Sequence, residues 1–414
     1  MPNYLPSQVY LLAFLFTLLI NASTIPTPVK QEKFHQNHEQ STCTPTSAQD
    51  AGTDDVPAIE ASFESCGVGG TIVIPSGITY NIRSSLSLTG CVSCTFQIDG
   101  TLKASNDLNY WATQKAIIYI DDITGAKIYS STGNGLIDGN GQASYDEFAA
   151  NSSLARPTLF LIASSSGIAV SNLHFRNAPN VFHSVNANSK DVVYSSLTMS
   201  AASTSTNAPK NTDGWDIGPA TNVMLDSVTV SNQDDCVAFK AGANYVTVTD
   251  ISCTGSHGLS VGSLGSKAGV TDTVENIYVS GATMIDSTKA VGIKLYPGGS
   301  SFGSAIVKNV TWTGVIVNGS EYAAQIQSCY SQNTSYCAEY PSTAQISDTY
   351  FKSFSGQTST AAEPVIAMLD CPADGTCDIY FEDWSVKPPS GIAKYLCANI
   401  DSNLGATCAS GAIG

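Results

Sequence analysis

The chain has 414 residues and a formal net charge of −16, although only 13% of its residues are charged. So acidic a chain repels phosphate groups, which argues against nucleic acid as a partner. The low content of charged residues, with many Gly, Ser, Thr, Asn and Val residues, favours strands and turns over helices. The length suits one large domain or two of average size.

The N-terminal segment is typical of a secretory signal peptide. Residues 9–20 ("VYLLAFLFTLLI") form an apolar run that is too short to span a bilayer, and small residues follow at Ala22 and Ser23. No later apolar run is long enough to cross a membrane. We therefore predict a signal peptide over residues 1–22, a polar linker or pro-segment over 23–42, and an extracellular folded domain over 43–414 without a membrane partner.

The 12 cysteines also indicate export, because disulfides persist in oxidising compartments. The simplest pairing joins consecutive cysteines into six local bridges, although spacing alone leaves the connectivity open. Cys91 and Cys94 could instead form a redox pair, but no βαβ pattern surrounds them. No histidines accompany the cysteines at the spacing of zinc ligands.

Four Asn-x-Ser/Thr sequons predict glycan sites on the surface of an exported protein. They begin at Asn151, Asn309, Asn318 and Asn333.

Short β-branched runs recur from about residue 160, as in "SGIAVSNLHF" (166–175), "KDVVYSSLTM" (190–199) and "TNVMLDSVTV" (221–230). Each run alternates apolar and small polar residues, which is the two-residue period of a strand. Repeated units of roughly 20–30 residues without a helical period predict a solenoid. We expect an all-β, single-domain parallel β-helix. The alternative is a β-sandwich, but its hairpin dipeptides do not occur at the required spacing.

An asparagine precedes the apolar start of four runs, at Asn222, Asn244, Asn276 and Asn309. The first of the three spacings is shorter than the other two, which are nearly equal. Recurrence at one phase of the repeat predicts a ladder of stacked asparagine side chains at a turn.

Two adjacent aspartates, Asp234 and Asp235, precede the apolar run that begins at Cys236. Asp213, Asp235 and His257 are equally spaced along the chain, since 235 − 213 and 257 − 235 both equal 22. If one coil here has the length of this spacing, these three side chains form one column, with strands about 4.7–4.9 Å apart. Clustered carboxylates raise the proton affinity of one member, which is the division into acid and base that hydrolysis needs. A calcium site or a turn-capping cluster is the alternative, but the register with His257 favours catalysis.

Lys294, in "VGIKLYPGG", is a candidate cation facing this column, although a lone lysine on a strand is commonly only solvated. Trp215, Tyr296 and Tyr330 could stack on a sugar face or pack in the core.

Several segments together resemble the polygalacturonase-type glycoside hydrolases, family 28. The four signature segments correspond to "NTDGWD", "QDDCVAFK", "GSHGLSVGSLG" and "GIKLYPGG", and "GLIDGNG" and "RNAPNVFHS" are also similar. The resemblance runs from about Cys43 to the C-terminus and implies a right-handed parallel β-helix of about ten coils, with the cleft across one face. It further implies inverting hydrolysis of α-1,4-galacturonosyl links in an acidic plant cell-wall polysaccharide, with no cofactor and no metal. We expect a monomer, as is common for this fold.

The resemblance also implies roles for single residues. Asp234 corresponds to the general acid, Asp213 and Asp235 would hold the attacking water, and His257 would tune the acid. Asn211, Lys294 and Tyr330 correspond to substrate-binding residues. Cys236 and Cys253 correspond to a disulfide that joins the two catalytic coils.

The fourth segment departs from the family pattern, because endo-acting relatives have Arg-Ile-Lys where this chain has Gly292-Ile293-Lys294. An arginine fork binds a sugar carboxylate through two hydrogen bonds, so its absence removes one contact and leaves room for a bulkier group. We therefore expect a secreted exo-acting polygalacturonase, with an endo-xylogalacturonan hydrolase as the alternative.

The carboxylate spacing raises a question about stereochemistry. Carboxylates one coil apart lie closer than the roughly 6.5–9.5 Å that is typical of inverting glycosidases. Spacing alone suggests retention, whereas the resemblance implies inversion, in which two carboxylates jointly orient one water.

An acidic protein repels an acidic polysaccharide at neutral pH. Four lysines near the signature segments, Lys210, Lys240, Lys267 and Lys294, can make the cleft locally positive, and we expect an acidic pH optimum. Two other functions remain open: a pectate-lyase-like β-helix that uses a cationic base and Ca²⁺, and a non-catalytic β-helix that binds cell-wall glycans.

Overall fold

A computed structural model describes residues 41–414 of the chain. The predicted signal peptide and nearly all of the predicted linker lie outside the described residues. The first strand begins at Thr42, at the end of the predicted linker. In the described part of the chain, no helix is both long enough and apolar enough to cross a membrane.

Residues 41–414 form 29 strands and four short helices. The helices are α1 (Val56–Cys66), α2 (Leu108–Trp111), α3 (Gln142–Ala150) and α4 (Thr334–Glu339). The strands up to the middle of the chain are β1 (Thr42–Cys43), β2 (Thr71–Ile74), β3 (Thr79–Ile82), β4 (Leu86–Ser87), β5 (Val92–Ile98), β6 (Thr101–Ala104), β7 (Ala116–Asp121), β8 (Thr124–Tyr129), β9 (Leu136–Asp138), β10 (Thr158–Ala163), β11 (Ser166–Ser171), β12 (His174–Arg176), β13 (His183–Asn186), β14 (Ser189–Ser195) and β15 (Thr198–Ser200). The later strands are β16 (Trp215–Ile217), β17 (Ala220–Ser231), β18 (Val237–Phe239), β19 (Ala243–Thr254), β20 (Leu259–Leu264), β21 (Thr271–Ile285), β22 (Lys289–Leu295), β23 (Ser304–Asn318), β24 (Tyr322–Gln327), β25 (Gln345–Gln357), β26 (Val365–Asp370), β27 (Thr376–Trp384), β28 (Lys394–Ala398) and β29 (Cys408–Ala409).

The strands wind into a right-handed parallel β-helix. One sheet stacks twelve short strands in the order β4, β7, β10, β13, β16, β18, β20, β22, β24, β26, β28 and β29, and the other seventeen strands form the second sheet. Neighbouring strands are parallel and one coil apart, as where β16 pairs with β18 and β18 with β20. The predicted all-β parallel β-helix is confirmed, and the β-sandwich alternative is wrong because sequence neighbours do not pair as hairpins.

The core fills the inside of the coils. In the long strands β17 and β19, roughly alternate residues point inward and most of the apolar residues are buried, whereas Met224 and Tyr245 remain exposed among the outward polar residues. Helix α1 covers the first coils with Ile59 and Phe63, and Phe63 packs edge-on against Phe96 at a centroid distance of 5.1 Å. A solenoid needs such a cap because its terminal coil has no neighbour to bury its apolar face.

The asparagine ladder is partly confirmed. Asn276 Nδ2 donates to Asn244 Oδ1 at 2.8 Å, and Asn309 Nδ2 donates to Asn276 Oδ1 at 2.7 Å. However, strands β17 and β19 pair so that Thr221, and not Asn222, lies opposite Asn244. Asn222 therefore lies opposite Tyr245, and on the next coil Glu275, not Asn276, lies opposite Asn244. The predicted phase is thus wrong by one position for Asn244.

A left-handed backbone conformation explains why asparagine recurs at this turn. The residues that share the position, Asn222, Tyr245, Asn276 and Asn309, have φ angles of 56°, 52°, 58° and 53°. Asparagine tolerates this region better than most residues because its short side chain can form local hydrogen bonds.

All 12 cysteines pair with their sequence neighbours, as predicted. The six bridges are Cys43–Cys66, Cys91–Cys94, Cys236–Cys253, Cys329–Cys337, Cys371–Cys377 and Cys397–Cys408. Cys91 and Cys94 thus form a structural bridge within one coil. Cys236–Cys253 joins the start of β18 to the end of β19 and braces the segment that follows the paired aspartates.

Candidate active site

The predicted column of Asp213, Asp235 and His257 is confirmed by the pairing of the twelve-stranded sheet. Trp215 lies opposite Val237, and Val237 lies opposite Leu259, so both coils advance by the same step. Each member of the column stands two positions before its strand begins. The three side chains therefore share one register position on three successive coils.

The three aspartates converge on one cavity. Each of Asp213, Asp234 and Asp235 places a carboxylate oxygen within 4.8 Å of the others. Asp213 and Asp235 are buried, and the Asp234 side chain is 17% exposed. The cavity has a volume of about 320 Å³ and is lined by Asn180, Val181, Asn211, Asp213, Asp216, Asp234, Asp235, Lys240, Ser263, Lys294 and Tyr330.

Asp235 is held from the following coils. The ammonium of Lys294, on β22, lies 2.5 Å from Asp235 Oδ2, and Ser260, on β20, donates its hydroxyl to Asp235 Oδ1 at 2.8 Å. Burial alone would lower the pKa of Lys294, but the charge and hydrogen bond of Asp235 raise it above its ordinary value. Lys294 is therefore a charged partner of the cluster and not a solvated surface lysine.

Asp234 faces His257 on the next coil. His257 Nδ1 lies 3.1 Å from Asp234 Oδ1, which also accepts from the Asp235 backbone N–H at 2.9 Å. Asn211 Nδ2 donates to Asp234 Oδ2 at 3.2 Å. Burial would raise the pKa of Asp234, but the hydrogen bond and charge of His257 outweigh it and lower the pKa to about 2. In the free protein this carboxylate is thus stabilised in its ionised form.

Asp213 has the opposite tendency. Burial, and then the negative charges of Asp216, Asp234 and Asp235, raise its pKa well above the ordinary value. Lys240 opposes this only in part, because its Nζ lies 3.9 Å from Asp213 Oδ2 and 3.3 Å from Asp216 Oδ1. The pKa values of Asp213 and Asp234 are therefore shifted in opposite directions.

The geometry of the three carboxylates also bears on a metal ion. Their oxygens are close enough to ligate one cation. However, two ammonium groups already lie against the cluster, Lys294 on Asp235 and Lys240 near Asp213. These lysines compensate the negative charge that a divalent ion would otherwise compensate, so the donor set does not favour a metal site.

Arg156 supports the site but was not predicted from the sequence. Its guanidinium lies 3.6 Å from the centroid of the Phe148 ring and donates to Asn211 Oδ1 at 2.7 Å. Asn211 is held in a left-handed conformation with φ 58°, and its amide bridges Arg156 to Asp234. Arg156 lies in a loop that carries no motif, so no sequence signal could have found it.

Four residues that line the cavity are absent from the predicted set: Asn180, Val181, Asp216 and Ser263. Asn180 and Val181 belong to the stretch "RNAPNVFHS", Asp216 to "NTDGWD" and Ser263 to "GSHGLSVGSLG", all of which resemble family segments. In each place the segment was identified, but the sequence did not show that these side chains point into the cavity.

The predicted aromatic contacts divide into two groups. Tyr330 lines the cavity, and its ring centroid lies 5.5 Å from Lys294 Nζ and 5.7 Å from the Tyr296 centroid. Trp215 is fully buried inside the coil, stacked on His183 at 5.3 Å. A sugar platform at Trp215 is therefore excluded, because its alternation with Asp216 turns it inward.

The expected room over Gly292 is not empty. A Cβ at this position would lie 2.8 Å from both Cδ and Cε of Lys289 and 2.6 Å from the Gln325 carbonyl oxygen. The side chain of Lys289 fills that space. The expectation that the missing arginine leaves room for a bulkier group is wrong at this point.

Of the four lysines expected near the cleft, the structure places two at the carboxylates. Lys240 and Lys294 line the cavity, whereas Lys210 and Lys267 are exposed and lie outside its lining.

Comparisons with known proteins identify the family of the chain. The profile of glycosyl hydrolases family 28 matches residues 66–408. Endo-xylogalacturonan hydrolase A of Aspergillus tubingensis is 51% identical over 401 residues, 97% of this chain and 98% of that protein. Probable endo-xylogalacturonan hydrolase A of Neosartorya fischeri is 52% identical over 400 residues, also 97% and 98%.

Solved structures match the fold over most of the chain. The crystal structure of endo-xylogalacturonan hydrolase from Aspergillus tubingensis matches with a TM-score of 0.89 at 53% identity and covers 90% of this chain and 100% of that one. A polygalacturonase from Erwinia carotovora shares the fold, with a TM-score of 0.66 at 20% identity over 87% of this chain and 96% of that one.

A parallel β-helix that carries three clustered carboxylates and matches the glycosyl hydrolase profile identifies the class of protein: it is a glycoside hydrolase. The chain belongs to glycosyl hydrolase family 28, because the family profile and relatives at more than 50% identity extend over most of its length.

Proposed function

We propose that the chain is a secreted endo-xylogalacturonan hydrolase that cleaves α-1,4-galacturonosyl links inside xylose-substituted galacturonan of plant cell walls. The observation that carries this proposal is the 51% identity over 97% of the chain to a protein of that name. The sequence favoured an exo-acting polygalacturonase, on the strength of Gly292. The relatives support the alternative better, and one glycine does not separate the two activities.

Asp234 is proposed as the general acid. It is the most exposed of the three carboxylates, so it can meet the glycosidic oxygen of a chain that lies in the cleft. Its proton passes to the leaving oxygen while the bond between that oxygen and the anomeric carbon breaks. His257 and Asn211 orient the carboxyl group through Oδ1 and Oδ2.

Asp213 and Asp235 are proposed to hold the attacking water. The water oxygen bonds to the anomeric carbon from the face opposite the leaving group, and its proton passes to the carboxylate pair. The distance within 4.8 Å is shorter than that of a usual inverting pair. We infer inversion nevertheless, since two carboxylates that share one water leave Asp234 free to serve as the acid.

The proton must move when substrate binds. In the free protein the proton of the cluster favours Asp213, whereas the proposed acid is Asp234. A bound uronate adds a negative charge beside Asp234 and displaces water from it, and both effects favour its protonated form. The three carboxyl groups then gain and lose protons as a coupled set. The state that can catalyse hydrolysis is the one in which they share a single proton.

Secretion remains a proposal that rests on the predicted signal peptide and on six disulfides. The four sequon asparagines, Asn151, Asn309, Asn318 and Asn333, are all exposed, which is the arrangement that glycan attachment requires.

Chromatography of the products from xylogalacturonan and from unsubstituted polygalacturonate tests the proposed function. We expect xylose-bearing oligomers of mixed length early in the reaction and slower cleavage of the unsubstituted polymer. Release of galacturonate monomer alone, at a higher rate from the unsubstituted polymer, would instead establish the exo-acting enzyme.

The two other functions are tested by the same digests. Products that absorb in the ultraviolet through a new double bond, and their loss on chelation, would indicate a calcium-dependent lyase. Binding of the polymer with no change in its length would indicate a glycan-binding β-helix.

A further inference from the structure

Lys289 is a buried cation on the same face as the catalytic column. Leu259 lies opposite Val291 on the next coil, and the same step leads from His257 to Lys289. The column therefore continues from Asp213, Asp235 and His257 to Lys289. This step is longer than the two before it, because the loop between β20 and β21 adds residues to this coil.

The side chain of Lys289 runs outward over β22. Its Cγ lies 3.0 Å from where a Cβ of Gly258 would be, and its Cδ and Cε lie 2.8 Å from where a Cβ of Gly292 would be. Residues 292 and 294 point to the same side of the strand. The ammonium of Lys289 is thus directed to the side of β22 that carries Lys294.

This ammonium has no matched partner. Lys289 is only 4% exposed, and within residues 41–414 it forms neither an ion pair nor a side-chain hydrogen bond. Burial, together with the positive charge of Lys294, lowers its pKa to about 8, although the charges of Asp235 and Asp234 oppose that effect. The nitrogen atom is nevertheless not fully enclosed, since it is not among the buried polar atoms that lack a partner, so an anion from outside can reach it. A mostly desolvated cation without a counter-charge costs free energy that such an anion would recover.

We propose that Lys289 binds the carboxylate of the uronate on the leaving-group side of the scissile bond. The inference rests on the proposed function, in which Asp234 and His257 mark the leaving oxygen. Lys289 lies one coil beyond them, where the next sugar of the chain would lie. Its ammonium would donate to the carboxylate at the place where Gly292 provides no side chain of its own.

The test combines a change in the enzyme with a change in the substrate. Xylose-bearing galacturonate trimers are prepared with an intact reducing-end uronate or with that one carboxyl group reduced to an alcohol. Values of kcat/KM are measured for wild type, Lys289→Met and Lys289→Arg, and only cleavage of the bond next to the reducing end is scored. Lys308→Met, at an exposed residue of the second sheet, is the control variant.

Loss of a charge-assisted hydrogen bond predicts a fall of roughly 10²-fold for Lys289→Met on the intact trimer. Reducing the carboxyl should lower the wild-type value by a similar factor, and the two changes together should lower it no further. Lys289→Arg should retain activity on the intact trimer to within about tenfold, since it keeps the charge.

If Lys289→Met lowers kcat/KM by the same factor on the intact and on the reduced trimer, the effects of the two changes multiply. That result would overturn the inference and assign Lys289 a structural role. No loss on either trimer would overturn it as well. A wild-type chain that cleaves neither trimer would overturn the proposed function, and the inference with it. Thermal unfolding of each variant by circular dichroism identifies any loss of activity that comes from misfolding.

Discussion

Lys294 and Asp235 form a buried ion pair across two steps of the coil. The ammonium of Lys294 lies 2.5 Å from Asp235 Oδ2, and their side chains are 7% and 1% exposed. Burying both charges costs desolvation free energy. Removing one partner destabilises the fold further, because the other charge is then buried and uncompensated. The pair therefore links the stability of the fold to the chemistry of the site.

Replacing Lys294 by methionine should lower the free energy of unfolding by about 3 kcal/mol, since Asp235 loses its counter-charge. Adding Asp235→Asn should recover much of that loss while the enzyme stays inactive. Urea unfolding of the single and double variants measures both the loss of unfolding free energy and its recovery. Lys352→Met serves as the control, because its pair with Glu382 is exposed and should contribute less than about 1 kcal/mol. Equal losses at both lysines would show that burial of the pair is unimportant.

Removing the imidazole of His257 should shift the pH dependence of hydrolysis. The hydrogen bond and charge of His257 hold the pKa of Asp234 at about 2, so His257→Ala should raise it. The proton of the cluster is then retained to higher pH, and the alkaline limb of kcat/KM should move upward while the maximal rate falls. The exposed His174, on β12, provides the control His174→Ala. An alkaline limb that stays in place, or moves to lower pH, would contradict the role of His257.

His183 weakens the core in acid. It is fully buried against Trp215 and Phe175, and neither ring nitrogen bonds to any described residue. Burial lowers its pKa to about 3, whereas the unfolded chain takes up the proton near its ordinary value of 6.5. The folded state therefore loses stability as the pH falls from 6.5 towards 3, by about 1.4 kcal/mol for each pH unit.

Replacing His183 by phenylalanine should remove that loss. The unfolding free energy of His183→Phe should be near the wild-type value at pH 7 and clearly above it at pH 4.5. Urea unfolding at the two pH values measures the difference, with the exposed His174→Leu as the control. A difference that does not change with pH would mean that the buried ring takes up a proton in the folded state.

Gly292 should tolerate no side chain. A Cβ there would lie 2.6 Å from the Gln325 carbonyl oxygen and would displace the stem of Lys289. We expect Gly292→Ala to cost about 1–3 kcal/mol of stability and to lower activity, and Gly292→Arg to be no better. Gly52→Ala, at an exposed glycine whose Cβ would meet only the Asp50 side chain at 3.4 Å, should have little effect. Gain of activity in Gly292→Arg would show that the space can open.

The sequence predicted the coil and the catalytic column because both depend on a constant step. The equal spacing of Asp213, Asp235 and His257 matches the pairing of β16, β18 and β20. Lys289, the next member of the column, could also have been predicted. The two longer spacings of the asparagine ladder lead from His257 to Lys289 and then to Tyr322. The change of step at the β20–β21 loop concealed it.

The directions of side chains and the contacts between distant loops were harder to predict from the sequence. Trp215 and Asp216 are adjacent, yet one is inside the coil and the other lines the cavity, and composition does not determine which is which. Arg156 reaches the distant Asn211 from a loop without a motif. Proton affinities depend on burial, so the contrast between Asp213 and Asp234 could not be read from a run of aspartates.

The rate of xylogalacturonan hydrolysis by Asp234→Asn tests the central claim most directly, because asparagine keeps the shape of the side chain but cannot give up a proton. The claim predicts a fall in kcat of roughly 10³-fold, with unchanged thermal unfolding and full activity in the exposed control Asp374→Asn. Retention of more than about a tenth of the wild-type kcat would contradict it.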